Sequence, residues 1–167
     1  VRPAMFAVSS SANADAAGTN TNAAPTIKAG AAFSLTATAV AGYDGTPTLD
    51  ASKVQAHVGA VQTGVLAGSV PAANPGTGEA TGAAFQYGEV GYFRLDTNGV
   101  TDTGFTSVDA GSGDCTAGYS NSLVGGRYGC DFGNSAPTVY FGRFIPDRFD
   151  TEIPTPACGA FTYSGQP

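Results

Sequence analysis

The stretch A-G-A-A-F-S-L-T-A-T-A-V-A, residues 29–41, alternates its side chains with a period of two. Phe33, Leu35, Ala37 and Ala39 fall on one face, and Ser34, Thr36, Thr38 and Val40 on the other. A helix repeats every 3.6 residues and would scatter that set, whereas a strand sends successive side chains to opposite faces of a sheet. The pattern predicts a half-buried strand. Long helices are disfavoured throughout, because 24 glycines and 10 prolines interrupt the 167-residue chain.

Other short apolar runs follow, separated by turn residues. Residues 6–10, F-A-V-S-S, suit a short strand, and residues 11–26, rich in Asn, Ala and Thr, read as a loop. Y-D-G-T-P-T-L-D, residues 43–50, is a turn region with Asp44-Gly45 as its strongest signal. V-Q-A-H-V-G-A-V, Val54 to Val61, is a second strand candidate, and residues 70–79 form another Gly/Pro loop. Residues 83–95 supply a strand pair or a bulged strand, with Phe85, Tyr87, Val90, Phe93 and Leu95 as core candidates. D-T-N-G-V-T-D-T-G, residues 96–104, reads as a turn, and the short run F-T-S-V-D follows at 105–109. T-V-Y-F-G-R-F, residues 138–144, gives a late strand.

Short strands at this spacing predict an all-β fold, an immunoglobulin-like antiparallel β-sandwich with long Gly/Ala/Asn-rich loops. E-V-G-Y-F-R-L fits that expectation. Immunoglobulin-like domains often carry D-x-G-x-Y-x-C on the penultimate strand, and Glu89, Gly91, Phe93 and Leu95 stand at those positions. Phe93 lacks the hydroxyl that a tyrosine corner uses.

The phrase P-x-x-F occurs at Pro3–Phe6 and again at Pro146–Phe149, with Arg2 and Arg143 close by. Proline fixes its own φ and disfavours helix for the residue before it, and the aromatic can anchor a first strand. The two prolines lie 143 positions apart, which reads as one module length. The expected division is a module over 1–143 and the start of a following module, or a linker or tail strand, over 144–167. Arg2, Pro3, Phe6, Arg143, Pro146 and Phe149 are then the intermodule residues. Chance repetition of a short phrase is the other explanation.

Cys115 and Cys130 bracket a stretch with four glycines and no apolar period. Such a loop cannot hold itself by burial. A Cys115–Cys130 disulfide would hold it, contributing about 3 kcal/mol through chain entropy; two reduced thiols are the alternative. Cys158 is left over and points to a partner elsewhere. Charged residues make up only 12%, about half the usual share, so uncharged polar residues must cover the surface, as on many extracellular β proteins. The formal charge of -6 leaves no basic footprint for nucleic acid and no cationic cluster for an anionic membrane. No apolar run is long enough for a membrane span. The first residues lack a signal peptide's charged start and apolar core. The initial residue is Val rather than Met, which reads as a mature or excised piece of something longer.

Catalytic patterns are not found. His57 is the single histidine and reads as an exposed strand residue rather than a base, and no G-x-S-x-G elbow supplies a nucleophile. A phosphate-binding loop is missing, zinc would need more His or Cys than one disulfide leaves, and no pair of acids is singled out by spacing. The expectation is a non-enzyme without a cofactor, calcium aside. Asp96, Asn98 and Asp102 place oxygen ligands at spacings that suit Ca²⁺, but a third acid and a terminal Glu are missing. Asn98-Gly99 is equally an ordinary hairpin turn. Lys28 and Lys53 are the available donors for an isopeptide cross-link. The cysteine loop carries Tyr119, Asn121, Arg127 and Tyr128, whose rings, amide and guanidinium could stack on a sugar and bond its hydroxyls. A disulfide would limit the ordering entropy lost on binding. The loop also reads as solvated decoration.

Several phrases together resemble a known family. They are V-R-P-x-x-F at the start, I-K-A-G-A-A-F-S-L-T-A-T-A at 27–39, F-Q-Y-G-E-V-G at 85–91, G-R-Y-G-C at 126–130, G-R-F-I-P-D-R-F at 142–149 and A-C-G-A-F-T-Y-S-G-Q-P at 157–167. The chain resembles the uncharacterised domain of MshQ-like proteins, linked to biogenesis of the mannose-sensitive haemagglutinin (MSHA) type IV pilus. The resemblance implies a large multi-module protein, secreted or on the extracellular surface of a Gram-negative bacterium, with no catalytic residues to carry over. It also implies a further β region beyond Gln166-Pro167, in which Cys158 would find its partner.

The expected function is a non-catalytic structural or adhesive module of a secreted, pilus-associated or cell-surface protein. Its partners would be neighbouring modules or subunits, surface glycans or pilus components. One alternative is a carbohydrate-binding module that uses the cysteine-bounded loop. Another is a filament subunit whose tail, Phe161 to Ser164, adds a strand to a neighbour's open edge.

Overall fold

The computed structural model describes residues 2–19, 24 and 26–151. Among these residues no strand exceeds nine residues, as the density of glycine and proline requires. The first six strands are β1 (Ala7–Ser10), β2 (Ala14–Asp15), β3 (Ile27–Lys28), β4 (Phe33–Thr38), β5 (Thr48–Leu49) and β6 (Val54–Ala56). Then come β7 (Leu66–Ala67), β8 (Glu79–Tyr87), β9 (Gly91–Leu95), β10 (Val100–Asp102), β11 (Phe132–Gly133) and β12 (Tyr140–Ile145). A 3₁₀ turn spans Ala51–Lys53 and a π-helical turn spans Thr106–Ala110.

One sheet runs β1-β4-β8-β7, antiparallel throughout. A second runs β6-β9-β12, and the far edge of β12 is shared by β2, antiparallel, and β3, parallel. A small third sheet joins β5, β10 and β11. The period-two stretch is β4, with Phe33, Leu35 and Ala37 buried and Ser34, Thr36 and Thr38 less so. On its outer face the hydroxyls of Thr36 and Thr81 meet at 2.8 Å across the β4–β8 pair.

The two larger sheets face each other through aromatic side chains. Phe33 of β4 lies 5.3 Å from Phe144 of β12, and Tyr87 of β8 lies 4.6 Å from Phe93 of β9, between ring centroids. All four rings are at most 3% exposed and belong to one core. Such pairs add roughly 0.5–1.5 kcal/mol each beyond the area they bury. The architecture is an all-β, antiparallel β-sandwich.

Phe85, Tyr87, Phe93 and Leu95 are fully buried, as their spacing predicts. Val90 is 40% exposed instead, because Gly88–Val90 forms the connection between β8 and β9. The expected strand over Val54–Val61 stops at Ala56. Gly59 turns with a φ of 88°, Ala60 donates back to the carbonyl of His57, and Val58 and Val61 project into solvent. The loop expected over 11–26 contains β2 and buries Ala12. In the turn region 43–50 the tight turn falls just earlier, where Tyr43 donates to the carbonyl of Val40, and Thr48–Leu49 pair with β10. Within 96–104 only the first half turns, with Asn98 at a φ of 58°, and Val100–Asp102 continue as β10. F-T-S-V-D becomes the π-helical turn.

The glycine of the E-V-G-Y-F-R-L phrase has a specific cause. Gly91 adopts a φ of 95°, and a Cβ there would stand 2.2 Å from Cε1 of His57. Neither the backbone nor the histidine ring leaves room for another residue.

The first P-x-x-F phrase anchors β1. Phe6 is 2% exposed and packs 4.6 Å from Phe132 and 5.6 Å from Tyr43. In the second phrase Pro146 ends β12, and Phe149 is 90% exposed. Lys28 forms an exposed ion pair with Asp147 at 3.1 Å, a setting worth little stability and unlike the buried one an isopeptide bond requires. Lys53 closes the 3₁₀ turn.

Candidate functional site

Cys115 and Cys130 form a disulfide. Cys130 is fully buried and lies two residues before Phe132 of β11, so the bond fastens the loop to the core. Between the cysteines the backbone supplies further bonds. Thr116 donates to Tyr128 at 2.9 Å, Cys130 to Thr116 at 2.6 Å and Gly129 to Ser120 at 2.8 Å. Val124 and Arg127 close a two-residue hairpin whose central glycines, Gly125 and Gly126, have φ of 59° and 80°. Positive φ at both positions matches a type I′ turn and explains the G-G pair.

A third restraint comes from the other end of the sequence. The Arg2 guanidinium donates through Nη2 to the carbonyl of Ser120 at 2.7 Å and to Oδ1 of Asn121 at 2.9 Å. Its Nε donates to the carbonyl of Gly129, and Nη1 to those of Pro3 at 2.6 Å and Ala4 at 3.5 Å. Partial burial pulls Arg2 down from its ordinary pKa, and Asp131 acts in the opposite direction. Arginine still carries its charge in such a setting. Arg2, expected to face a neighbouring module, here clamps the loop of its own chain.

The four predicted ligand residues divide between two hollows. Arg127 and Tyr128 line a groove of about 400 Å³, together with Arg2, Phe105, Asp109 and Asp114. Tyr119 and Asn121 line a smaller hollow of about 200 Å³ beside Asn98 and Asp131. Tyr119 and Tyr128 are about half exposed, and so are Leu123 and Val124 near the hairpin tip. The π-helical turn borders the groove through Asp109, and just after it Asp114 donates its N–H to the carbonyl of Asp109 at 2.9 Å. Phe105 and Asp109 also border a neighbouring depression lined by Gly45, Asp102 and Val108.

Sequence reasoning missed Asp109, Asp114, Leu123 and Val124. The two acids flank A-G-S-G, a turn signal, and both line the groove with Cys115 of the disulfide.

The calcium candidates serve the turn and the core. Asp96 accepts from Gln55 through Oδ2 at 3.0 Å and from the N–H of Thr97 through Oδ1 at 2.8 Å. Asn98 holds the left-handed position of the turn. Asp102 is buried and accepts from the Tyr43 hydroxyl at 2.6 Å and the N–H of Gly104 at 2.7 Å. Burial, then the bond to Asp102, pushes the Tyr43 hydroxyl well above the usual tyrosine range. Among the described residues no three His, Cys, Asp or Glu side chains gather as a metal would need. His57 is half-buried after β6, not exposed on a strand, and its ring is held by Gly91 and by the backbone N–H of Tyr92, 3.3 Å from Nδ1.

Cys158 and the Phe161–Ser164 tail lie outside the described residues. Among the described residues no helix is long and apolar enough to cross a membrane. In comparisons with protein-family models, curated proteins and solved structures, nothing matches the chain.

Proposed function

We propose that this β-sandwich is a non-catalytic adhesive module of a secreted, surface-exposed bacterial protein of the MshQ-like kind, with the disulfide-bounded loop as its contact surface. One observation carries the reading. The loop exposes Tyr119, Leu123, Val124 and Tyr128, yet a disulfide, a hairpin ladder and the Arg2 clamp restrain it. Holding side chains in place before contact reduces the entropy lost on binding, and tyrosine gives large contact area with few rotors. Solvated decoration does not need such bracing.

The test is retention of the labelled chain on immobilised bacterial and host cell envelopes, followed by biolayer interferometry. Wild type should be retained, and the Tyr119→Ala/Tyr128→Ala double variant should lose at least about tenfold in apparent affinity, as paired hot-spot residues do. Equal retention of both chains, or none of wild type, would reject the adhesive reading.

A further inference from the structure

The groove between the hairpin and the π-helical turn combines charges of both signs. Arg2 and Arg127 line it together with Asp109 and Asp114. Among the described residues the ion pairs are Lys28–Asp147, Arg148–Asp147 and Arg148–Asp150, so the groove's charges are not spent on one another. Arg2 gives its donors to backbone carbonyls and Asn121. Asp114 accepts from the Ser112 hydroxyl through Oδ2 at 2.7 Å, which leaves Oδ1 open. The Asp109 carboxylate and Arg127 guanidinium have no side-chain partner among the described residues. The Arg127 guanidinium lies close to the turn that carries these acids, since a Cβ at Gly113 would lie 3.6 Å from both Nη1 and Nη2.

A groove that brings carboxylate acceptors, a guanidinium donor and a tyrosine face together has a limited set of fitting ligands. An anion would meet Asp109 and Asp114, and a cation would meet Arg2 and Arg127, each a like-charge encounter that disfavours binding. An uncharged polyol has hydroxyls that donate to carboxylates and accept from guanidinium at once. The apolar face of a pyranose ring suits the half-exposed ring of Tyr128. The volume of about 400 Å³ falls within the usual range for small-ligand sites, roughly 300–1,000 Å³. A π-helical turn at its border agrees with the frequent use of such turns at functional sites.

We infer that the groove between the disulfide-bounded hairpin and the π-helical turn binds an uncharged saccharide, whose ring stacks on Tyr128 and whose hydroxyls bridge Asp109 and Arg127. The inference rests on the adhesive reading and assigns that surface its ligand class. Asp109 is the decisive residue, because it belongs to the groove and not to the exposed loop.

The experiment titrates the full chain, disulfide intact, with a panel of neutral hexose trisaccharides, a hexuronic acid trisaccharide and a zwitterionic tripeptide. Amide chemical shifts are followed by NMR. At least one neutral trisaccharide should bind and shift amides within residues 105–129. Asp109→Asn and Arg127→Gln should each weaken that binding by at least about tenfold while leaving the remaining spectrum unchanged. The inference is overturned if no neutral trisaccharide binds, if the uronic acid or the tripeptide binds more tightly, or if Asp109→Asn binds as wild type does. Envelope retention measured in parallel separates the two readings. Retention that the sugars do not compete away overturns the saccharide site and leaves the adhesive module standing. Sugar binding without envelope retention does the reverse.

Discussion

Arg2 and Asn121 are 119 positions apart in sequence, and the guanidinium of the first donates to the amide oxygen of the second at 2.9 Å. With the bonds to Ser120 and Gly129, this ties the segment before β1 to the loop after the π-helical turn. The start of the chain is therefore a structural part of the proposed contact surface.

Replacing Arg2 by alanine should loosen the loop without unfolding the sandwich. Hydrogen bonds to a charged group are worth roughly 1.5–3 kcal/mol, and Arg2 is partly exposed, so the expected loss is about 1–2 kcal/mol. Urea denaturation measures the loss. Hydrogen exchange should show faster amides at 118–130 and unchanged ones in β4 and β8. Uniform acceleration across the sandwich would contradict a local clamp.

Removing the disulfide by a Cys115→Ser/Cys130→Ser pair should cost about 3 kcal/mol for a loop of this length. The aromatic core between the sheets does not include the bond, so far-UV circular dichroism should keep its β signature. Limited proteolysis should then cut within 116–129. Cleavage first in β8 or β9 would mean that the loop supports the sheets.

Two glycine substitutions should move stability in opposite directions. A Cβ at Gly129 would stand 2.1 Å from the carbonyl oxygen of Gly118 and 2.3 Å from the nitrogen of Ser120, both backbone atoms that cannot swing away. Gly129→Ala should destabilise by about 2–3 kcal/mol. Gly111 has a φ of -66° and nothing within 4 Å of its would-be Cβ, so Gly111→Ala should stabilise by about 0.4–1 kcal/mol. Thermal melts of the two variants decide it, and a shared sign would contradict the packing described.

Alkaline pH should weaken the fold through Tyr43. Its folded pKa is raised, while in the unfolded chain it ionises near its ordinary value of about 10. The folded state keeps a proton that the unfolded state has released. The contribution is complete below about pH 10 and is lost as pH rises above it, at up to about 1.4 kcal/mol per pH unit. Burial raises Tyr87 as well, in the same direction. Tyr43→Phe should flatten the alkaline loss and cost about 1–3 kcal/mol at neutral pH, because Asp102 then keeps only the N–H of Gly104. Urea midpoints between about pH 8 and 11 read both effects. An unchanged alkaline slope in the variant would locate the titration elsewhere.

Much of the sandwich is legible in the chain where side chains alternate or cluster. Phe33, Leu35 and Ala37 announce β4, and Phe85, Tyr87, Phe93 and Leu95 announce the strands that face one another. Val90 misleads because its exposure is set by a connection, not by its apolarity. The two-residue strands β2, β3 and β5 have no pattern to read; they exist because β12 and β10 offer partners far away in sequence. Val58 and Val61 extend an apolar run past the point where Gly59 turns the backbone. At the candidate site, cysteine spacing points to the loop and aromatic content to its exposed faces. The clamp by Arg2 and the meeting of Asp109 with Arg127 in one groove depend on contacts between segments distant in sequence that no local pattern encodes. The duplicated P-x-x-F phrase is legible as text, yet Phe6 is 2% exposed and Phe149 is 90% exposed within this chain.

The Gly125-Gly126 tip has open space around both would-be Cβ positions, while Val124 and Arg127 below it are paired and the cysteines beneath them are joined. A foreign peptide spliced between those glycines would emerge from a closed base with its two ends already held together. The same architecture that presents the native contact residues thus offers a graft point for displaying an unrelated epitope, with the sandwich left as an inert stand.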